Sequence, residues 1–402
     1  MRSVIIIGAG PAGLTAARIL RAAGIKDLLV VERDEQAGGL PRHCGHHGFG
    51  VLDFRHLWTG PRYIRELCDM AKDVEIATDE TVIAVEPGGR VRISGTHGVE
   101  NLAARTVLLA TGIRETPRSA RLVSGTRPYG ITTTGAFQEM VYTGGFRPFS
   151  RPVIVGTELV AFSALLTARH LGIRPAAMIE ENDRITAGRF CDVAARRLFG
   201  TPVLTSTRLV EIQGRDRVGA VVVERQGKHE AIACDGVVFS GRFVPEATLA
   251  RGGHLAVDLA TGGPVIDNFW RCSDPAYFAA GNVLRAVEHS GMVSREASWA
   301  AAAILRGLAG DLPAADNGVP VRAAGSLLYV YPQRIIPHEG ARIRLYARTR
   351  AACRGRLRLT ADGREIAARF VNALPERRLT LDAPSFRLIG SRSVELTLEA
   401  SR

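Results

Sequence analysis

The chain has 402 residues, enough for two or three domains that each bury a core of their own. Its composition is globular, 46% hydrophobic and 23% charged, and it has no uncharged apolar run of about 18 residues, so no transmembrane helix is expected. The net charge of +12 is unevenly placed: from Arg322 onward there are 16 arginines and 7 acidic residues, so three quarters of the excess lies in the last fifth of the chain.

The chain opens on Val4-Ile5-Ile6-Ile7, then Gly8-Ala9-Gly10-Pro11-Ala12-Gly13, then an apolar helix pattern at Leu14, Ala17, Ile19 and Leu20. That predicts a strand, a tight turn and a helix. Gly8 permits the turn, Gly10 lets the backbone approach a pyrophosphate, and Gly13 lets the helix pack on the strand. The helix N-terminus offers N–H groups and the positive end of its dipole to phosphates. A second strand, Leu28-Leu29-Val30-Val31, ends in Glu32, 24 residues after Gly8. A carboxylate there accepts the ribose hydroxyls of an adenosine. Met1-Arg2-Ser3 before apolar residues has the look of a signal peptide, but the glycines and the run into Glu32 predict a first strand instead. The six cysteines form no Cys-x-x-Cys pair, which counts against a disulfide scaffold and against iron–sulfur ligation; a reducing cytoplasm is the simplest home.

After Arg33 the pair Gly38-Gly39, before Leu40, gives a second close approach of backbone. Residues 81–95 predict a β-hairpin, and Thr106 to Ala110 a buried strand ending in Ala110-Thr111-Gly112. The order then repeats. Pro152 to Val155 runs into Gly156, a helix pattern spans Ala161 to Leu171, and a strand from Ala176 ends in Glu180. A β-meander covers Leu209 to Val223, and Gly236 to Gly241 mirrors the Ala-Thr-Gly strand. Ala276 to Ala280 is one more buried strand, leading to Gly281-Asn282 and a helix from about Met292. From about 320 onward apolar residues and arginines alternate with period 2. The alternation predicts an antiparallel β-sandwich, with Arg342, Arg344 and Arg348 on one exposed face. Such an array suits an acidic protein surface better than nucleic acid, since Tyr346 is the one aromatic residue interleaved with it; a solvated sheet face is the other reading.

Together, Gly8-x-Gly10-x-x-Gly13, Glu32, Gly38-Gly39, Ala110-Thr111-Gly112 and Ala280-Gly281-Asn282 resemble the pyridine nucleotide–disulfide oxidoreductase class of FAD-dependent flavoproteins. Residues 38–46, 57–63 and 281–285 further resemble flavin subunits of multi-component dehydrogenases and oxidases, of the opine oxidase and hydrogen cyanide synthase kind, and flavoproteins that accompany glycerol-3-phosphate-dehydrogenase-like partners. The resemblance implies an α/β fold with two nested Rossmann-like dinucleotide-binding domains plus the C-terminal sandwich. The expected domains are 1–122 with 265–318 for FAD, 123–264 as an NAD-binding-like domain, and 322–402 as the β-domain. It implies FAD contacts from Gly8, Gly10, Pro11, Ala12, Gly13, Glu32, Arg33, Gly38, Gly39, Leu40, Val82, Ala110, Thr111, Gly112, Gly281 and Asn282. Asn282 stands where the family carries an acid. The resemblance also implies a small organic donor or a partner dehydrogenase subunit, with an electron-transfer protein as acceptor, and a hetero-oligomer.

Two departures narrow the reaction. Disulfide reductases carry Cys-x4-Cys after the glycine pair; here Cys44 stands alone, with Phe at 49. The second nucleotide motif keeps only Gly156, and Glu158 would set a carboxylate at the pyrophosphate seat, which counts against NAD(P)H. Catalytic candidates are His43, Cys44 and His46, as proton donors or substrate orienters beside the flavin or as plain loop residues, and no metal is expected because consecutive ligands converge poorly. His289, at the start of the last helix, is a candidate to stabilise negative charge on reduced flavin.

Overall fold

Val4 to Ile6 are fully buried, as a parallel strand covered on both faces requires. They lie in β1 (Arg2–Ile7), which runs into α1 (Pro11–Ala22) and β2 (Leu28–Val31). There follow β3 (Glu75–Ala77), β4 (Thr81–Glu86), β5 (Arg90–Gly95) and the long β6 (Gly98–Leu109). The sheet order is β3-β2-β1-β6-β5-β4. Both ends of β6 are used: its last residues pair in parallel with β1 and its first residues antiparallel with β5. The computed structural model describes residues 1–339 and 342–400. It divides into two units, one of residues 1–39, 66–113 and 245–402, the other of residues 40–65 and 114–244.

The second unit repeats the plan. A parallel sheet holds β7 (Ile131–Thr133), β8 (Pro152–Val155), β9 (Ala177–Ile179), β10 (Val203–Leu204) and the later β14 (Gly236–Phe239). Among the helices packed with it are α2 (Thr134–Tyr142) and α3 (Leu159–His170). The meander is β11 (Thr207–Gly214), β12 (Val218–Arg225) and β13 (Lys228–Ala233), and so runs past the Val223 expected as its end.

Back in the first unit, β15 (Tyr277–Ala279) adds to β6 in parallel, and α4 (Ser290–Ala309) packs against α1 with Ala297, Ala300, Ala301 and Ile304 buried. Among the described residues eight strands follow: β16 (Val319–Gly325), β17 (Leu327–Tyr331), β18 (Arg334–Ile335), β19 (Arg342–Thr349), β20 (Cys353–Ala361), β21 (Arg364–Ala373), β22 (Leu379–Pro384) and β23 (Val394–Ala400). They form one sheet in the order β18-β16-β23-β20-β21 and another in the order β17-β19-β22. The two enclose a common core that includes Val321, Leu345, Leu357, Leu359, Leu381 and Leu396.

Two expectations need correction here. The pairing is not antiparallel throughout, because β16 and β23 run parallel, Val321 opposite Val394. These two strands lie far apart in the chain, so no hairpin fixes their relative direction. The three arginines also do not form one exposed array, because the Arg348 end of the face is covered. Arg344 is gripped by Asp382 at 2.6 and 2.8 Å, and Arg348 turns inward, 13% exposed, to donate to the Val287 carbonyl at 2.7 Å. Arg356 pairs with Glu365 at 2.7 Å, and Arg358 with Glu399. Arg344, Arg356 and Arg358 are therefore each held by a neighbouring carboxylate, although the net surplus, which already counts these acids, is unchanged. Among the described residues, no helix is long and apolar enough to cross a membrane.

Candidate functional site

The glycine turn has the shape a pyrophosphate seat needs. Gly8 has φ +103°, and a Cβ there would lie 2.6 Å from the Ala110 carbonyl oxygen. A Cβ on Gly13 would lie 1.9 Å from the Gly8 carbonyl oxygen, so helix and strand touch backbone to backbone. At Gly10 the opposite holds: a Cβ would meet nothing within 4 Å. Gly10 caps α1 without any side-chain bond, and Pro11 follows, so the first turn keeps its amides for a ligand.

Other expected residues gather at the same turn. Gly38 donates its N–H to the Ala9 carbonyl at 2.8 Å, and a Cβ on Gly39 would stand 3.1 Å from the Gly10 Cα. Gly281 (φ +79°) lies against the first turn of α1, where a Cβ would meet Ala12 at 3.1 Å. The Glu32 carboxylate is fixed by the N–H of Ala9 at 2.7 Å and that of Asp34 at 3.1 Å. A carboxylate has about four acceptor positions, and these two bonds leave two, one for each ribose hydroxyl. Arg33 is half exposed with its Nε 3.8 Å from Asp34, and Val82 is buried in β4, whose approach is tied down by Glu80 N–H donating to the Glu32 carbonyl at 3.0 Å. Thr111 donates its hydroxyl to the Glu246 carbonyl at 2.6 Å, and the Gly112 carbonyl accepts the Glu246 N–H at 2.9 Å. Sequence reading passed over Glu246, which no local motif marks. The Asn282 amide bonds both ways with the Glu288 backbone, accepting at 2.8 Å and donating at 3.1 Å. Its role is thus to shape the loop that ends at His289, the N-cap of α4.

Leu40, His43, Cys44 and His46 fall in the other unit. Leu40 and His43 bound a short 3-10 turn, Leu40–His43. The Cys44 thiol points at the Leu40 carbonyl, 3.4 Å, and the Gln138 side-chain oxygen, 3.6 Å. Burial, with the nearby Glu115 carboxylate adding to it, pushes that thiol up to about 12, so it is not a thiolate at neutral pH. Burial also lowers the His46 pKa, which leaves its ring neutral, donating from Nδ1 to the His47 carbonyl at 2.9 Å.

The second nucleotide seat is built differently. Glu158 caps α3, and its carboxylate folds back between two glycines: a Cβ on Gly156 would meet Oε2 at 2.7 Å and one on Gly241 would meet Cδ at 2.8 Å. Burial raises its pKa. Glu180 occupies the place Glu32 has in the first unit, but it is fully engaged. It accepts from Thr157 Oγ1, from Thr186 Oγ1 at 3.3 Å, and from the Asn182 N–H at 3.0 Å and Nδ2 at 2.7 Å. Four donors use its four acceptor positions, and none remains for a ribose.

The family profile described as Pyridine nucleotide-disulphide oxidoreductase matches residues 2–303. One of the subunits of opine oxidase from Rhizobium meliloti (strain 1021) is 29% identical over 180 residues, 44% of this chain and 38% of that protein. Hydrogen cyanide synthase subunit HcnB of Pseudomonas protegens is 24% identical over 313 residues, 69% of this chain and 65% of that protein. The chain therefore spans less than two thirds of the length of either relative. Among solved structures, thioredoxin reductase of T. acidophilum superposes with a TM-score of 0.64 at 20% identity, covering 75% of this chain and 97% of that one. That likeness is one of fold.

Proposed function

Because the chain belongs to the pyridine nucleotide-disulphide oxidoreductase family and is thereby an FAD-dependent oxidoreductase, we propose that it is the flavin subunit of a multi-component dehydrogenase or oxidase. It takes electrons from a small organic donor or from a partner protein of the same complex, and it passes them to another redox protein. The supporting observation is the contrast between the two seats: Glu32 has acceptor positions left for a ribose, whereas Glu180 has none and Glu158 lies across its glycines. Electrons thus enter from a source other than NAD(P)H. Both relatives named above are subunits, and one is named as an opine oxidase.

FAD supplies the two-electron chemistry that no side chain here offers. The chain's own groups bind and orient it. The free amides at the start of α1 hold the pyrophosphate, Glu32 holds the adenosine ribose, and Gly39 and Gly281 leave room for close contact. The amides of Ser290 and Gly291, opening α4, would offer positive dipole to negative charge on the bound flavin. Cys44 forms no redox disulfide, since it has no partner thiol at the family's spacing. The domain scheme belongs to the same proposal: the NAD-binding-like domain is an insertion in the FAD domain, and the final two-sheet module is an addition to it.

The family name favours a second reading, an NAD(P)H-dependent reductase. A flavin-bearing assembly subunit without a substrate of its own is the third. The experiment is to purify the chain with its native partners and add candidate opines without oxygen. The proposal expects a donor to bleach the flavin of the intact complex. No bleaching by any donor in the intact complex would favour the assembly reading.

A further inference from the structure

The loop from Gly281 to His289 abuts the cofactor seat through Gly281, and three arginines grip it from behind. Arg285, on the loop itself, is fully buried; its Nη1 donates to the Gly281 carbonyl at 2.9 Å and its Nη2 to Glu296 on α4 at 2.6 Å. The other two come from the C-terminal strands. Arg348, on β19, donates to the Val287 carbonyl at 2.7 Å and to Glu288 at 3.3 Å. Arg378, just before β22, donates to Glu296 at 3.2 Å and to the sulfur of Met292 at 3.4 Å, and its guanidinium lies 4.7 Å above the Tyr346 ring. Tyr331, on β17, completes the cluster: its hydroxyl reaches Glu296 at 3.3 Å and its ring lies 4.8 Å under Arg285.

We propose that Arg348 and Arg378 are positioning residues through which the C-terminal β-module holds the 281–289 loop and the start of α4 against the FAD seat. Three guanidinium groups stand against two carboxylates, Glu288 and Glu296. Neither carboxylate can leave the cluster without stranding charge in a dry site, so loop and module are locked together. Arg348 touches the loop next to Glu288, the residue whose backbone Asn282 binds from the other side. The module therefore fixes the loop at the point where it turns toward His289. Its inward-turned arginine is explained by this task, whereas Arg344 on the same strand faces Asp382 and solvent. The inference needs FAD as cofactor and is independent of which donor or acceptor the protein serves.

The test compares FAD affinity, by fluorescence titration of the FAD-stripped full chain, with limited proteolysis across residues 281–289. Arg348→Met/Arg378→Met should weaken FAD binding roughly tenfold or more, as loss of several charged hydrogen bonds implies, and should open the loop to cleavage. Arg378→Lys should recover part of the loss, since the charge remains while the forked geometry goes. Glu288→Gln should loosen FAD in the same direction. Arg344→Met, on the same strand but outside the cluster, should change neither readout. FAD affinity within twofold of wild type in the double variant would overturn the proposal. So would an equal loss in Arg344→Met, which would mean that any weakening of the module loosens the cofactor.

Discussion

Gly10→Val should all but abolish FAD binding while the fold stands. Gly10 has φ −77° and ψ −173°, ordinary for any L-residue, and its Cβ position is empty to 4 Å. A valine there meets no protein atom through its Cβ. Its cost to the protein is the weaker helix cap, about 1 kcal/mol. It does fill the space through which a pyrophosphate reaches the amides of α1. We expect FAD affinity to fall more than about a hundredfold, roughly 3 kcal/mol. Circular dichroism and the melting profile of the FAD-free protein should stay close to wild type. The neighbouring glycines set the contrast. Valine at Gly8 or Gly13 would drive a Cβ to 2.6 or 1.9 Å from a backbone oxygen, so those variants should lose the fold along with the cofactor. Unchanged FAD affinity in Gly10→Val would remove the pyrophosphate from this turn.

Arg285→Met should strongly destabilise the first unit. Arg285 and Glu296 are both fully shielded from water. Burial works against the Arg285 charge, and the Glu296 carboxylate more than restores it, so its pKa stands above the usual arginine value. Burial likewise raises the Glu296 pKa, against the pull of Arg285. Removing the cation leaves Glu296 with only Arg378 and Tyr331 as donors, and the Gly281 carbonyl loses its guanidinium partner. Breaking such a pair from one side costs about 3–5 kcal/mol. A urea titration of the FAD-free protein should show the transition moved to lower urea by that amount. Arg285→Met/Glu296→Met should recover much of it, because no buried charge is then left from the pair and Arg378, 15% exposed, can turn to water. A single variant as stable as wild type would mean that Glu296 is neutral in the folded protein.

Much of the first site was legible because its logic is local. The Gly8–Gly13 turn, the strand ending in Glu32 and the Ala110-Thr111-Gly112 strand each follow from neighbouring residues. The carboxylate of Glu158 in the second turn was legible, but its fold-back between Gly156 and Gly241 was not. That Glu180 is saturated depends on Thr157, Asn182 and Thr186 converging on one carboxylate, and spacing does not reveal it. Period-2 patterning placed Arg348 outward with Arg342 and Arg344. The alternation breaks at the end of β19, where Tyr346, Ala347 and Thr349 are buried too and a loop from another part of the chain covers the face. Arg285 was visible as part of a motif, yet its partner Glu296 sits in a helix that reads as apolar, so the pair emerged only from the fold.

On the function proposed, this flavoprotein is reduced by something other than a nicotinamide. Anaerobic titration of the FAD-loaded chain with NADH and NADPH, followed at the flavin absorbance, tests it most directly. With Glu180 saturated and Glu158 lying between Gly156 and Gly241, either nucleotide is expected to bleach the flavin slowly or not at all. Rapid stoichiometric bleaching at micromolar nucleotide would contradict the claim and make the chain an NAD(P)H-dependent reductase.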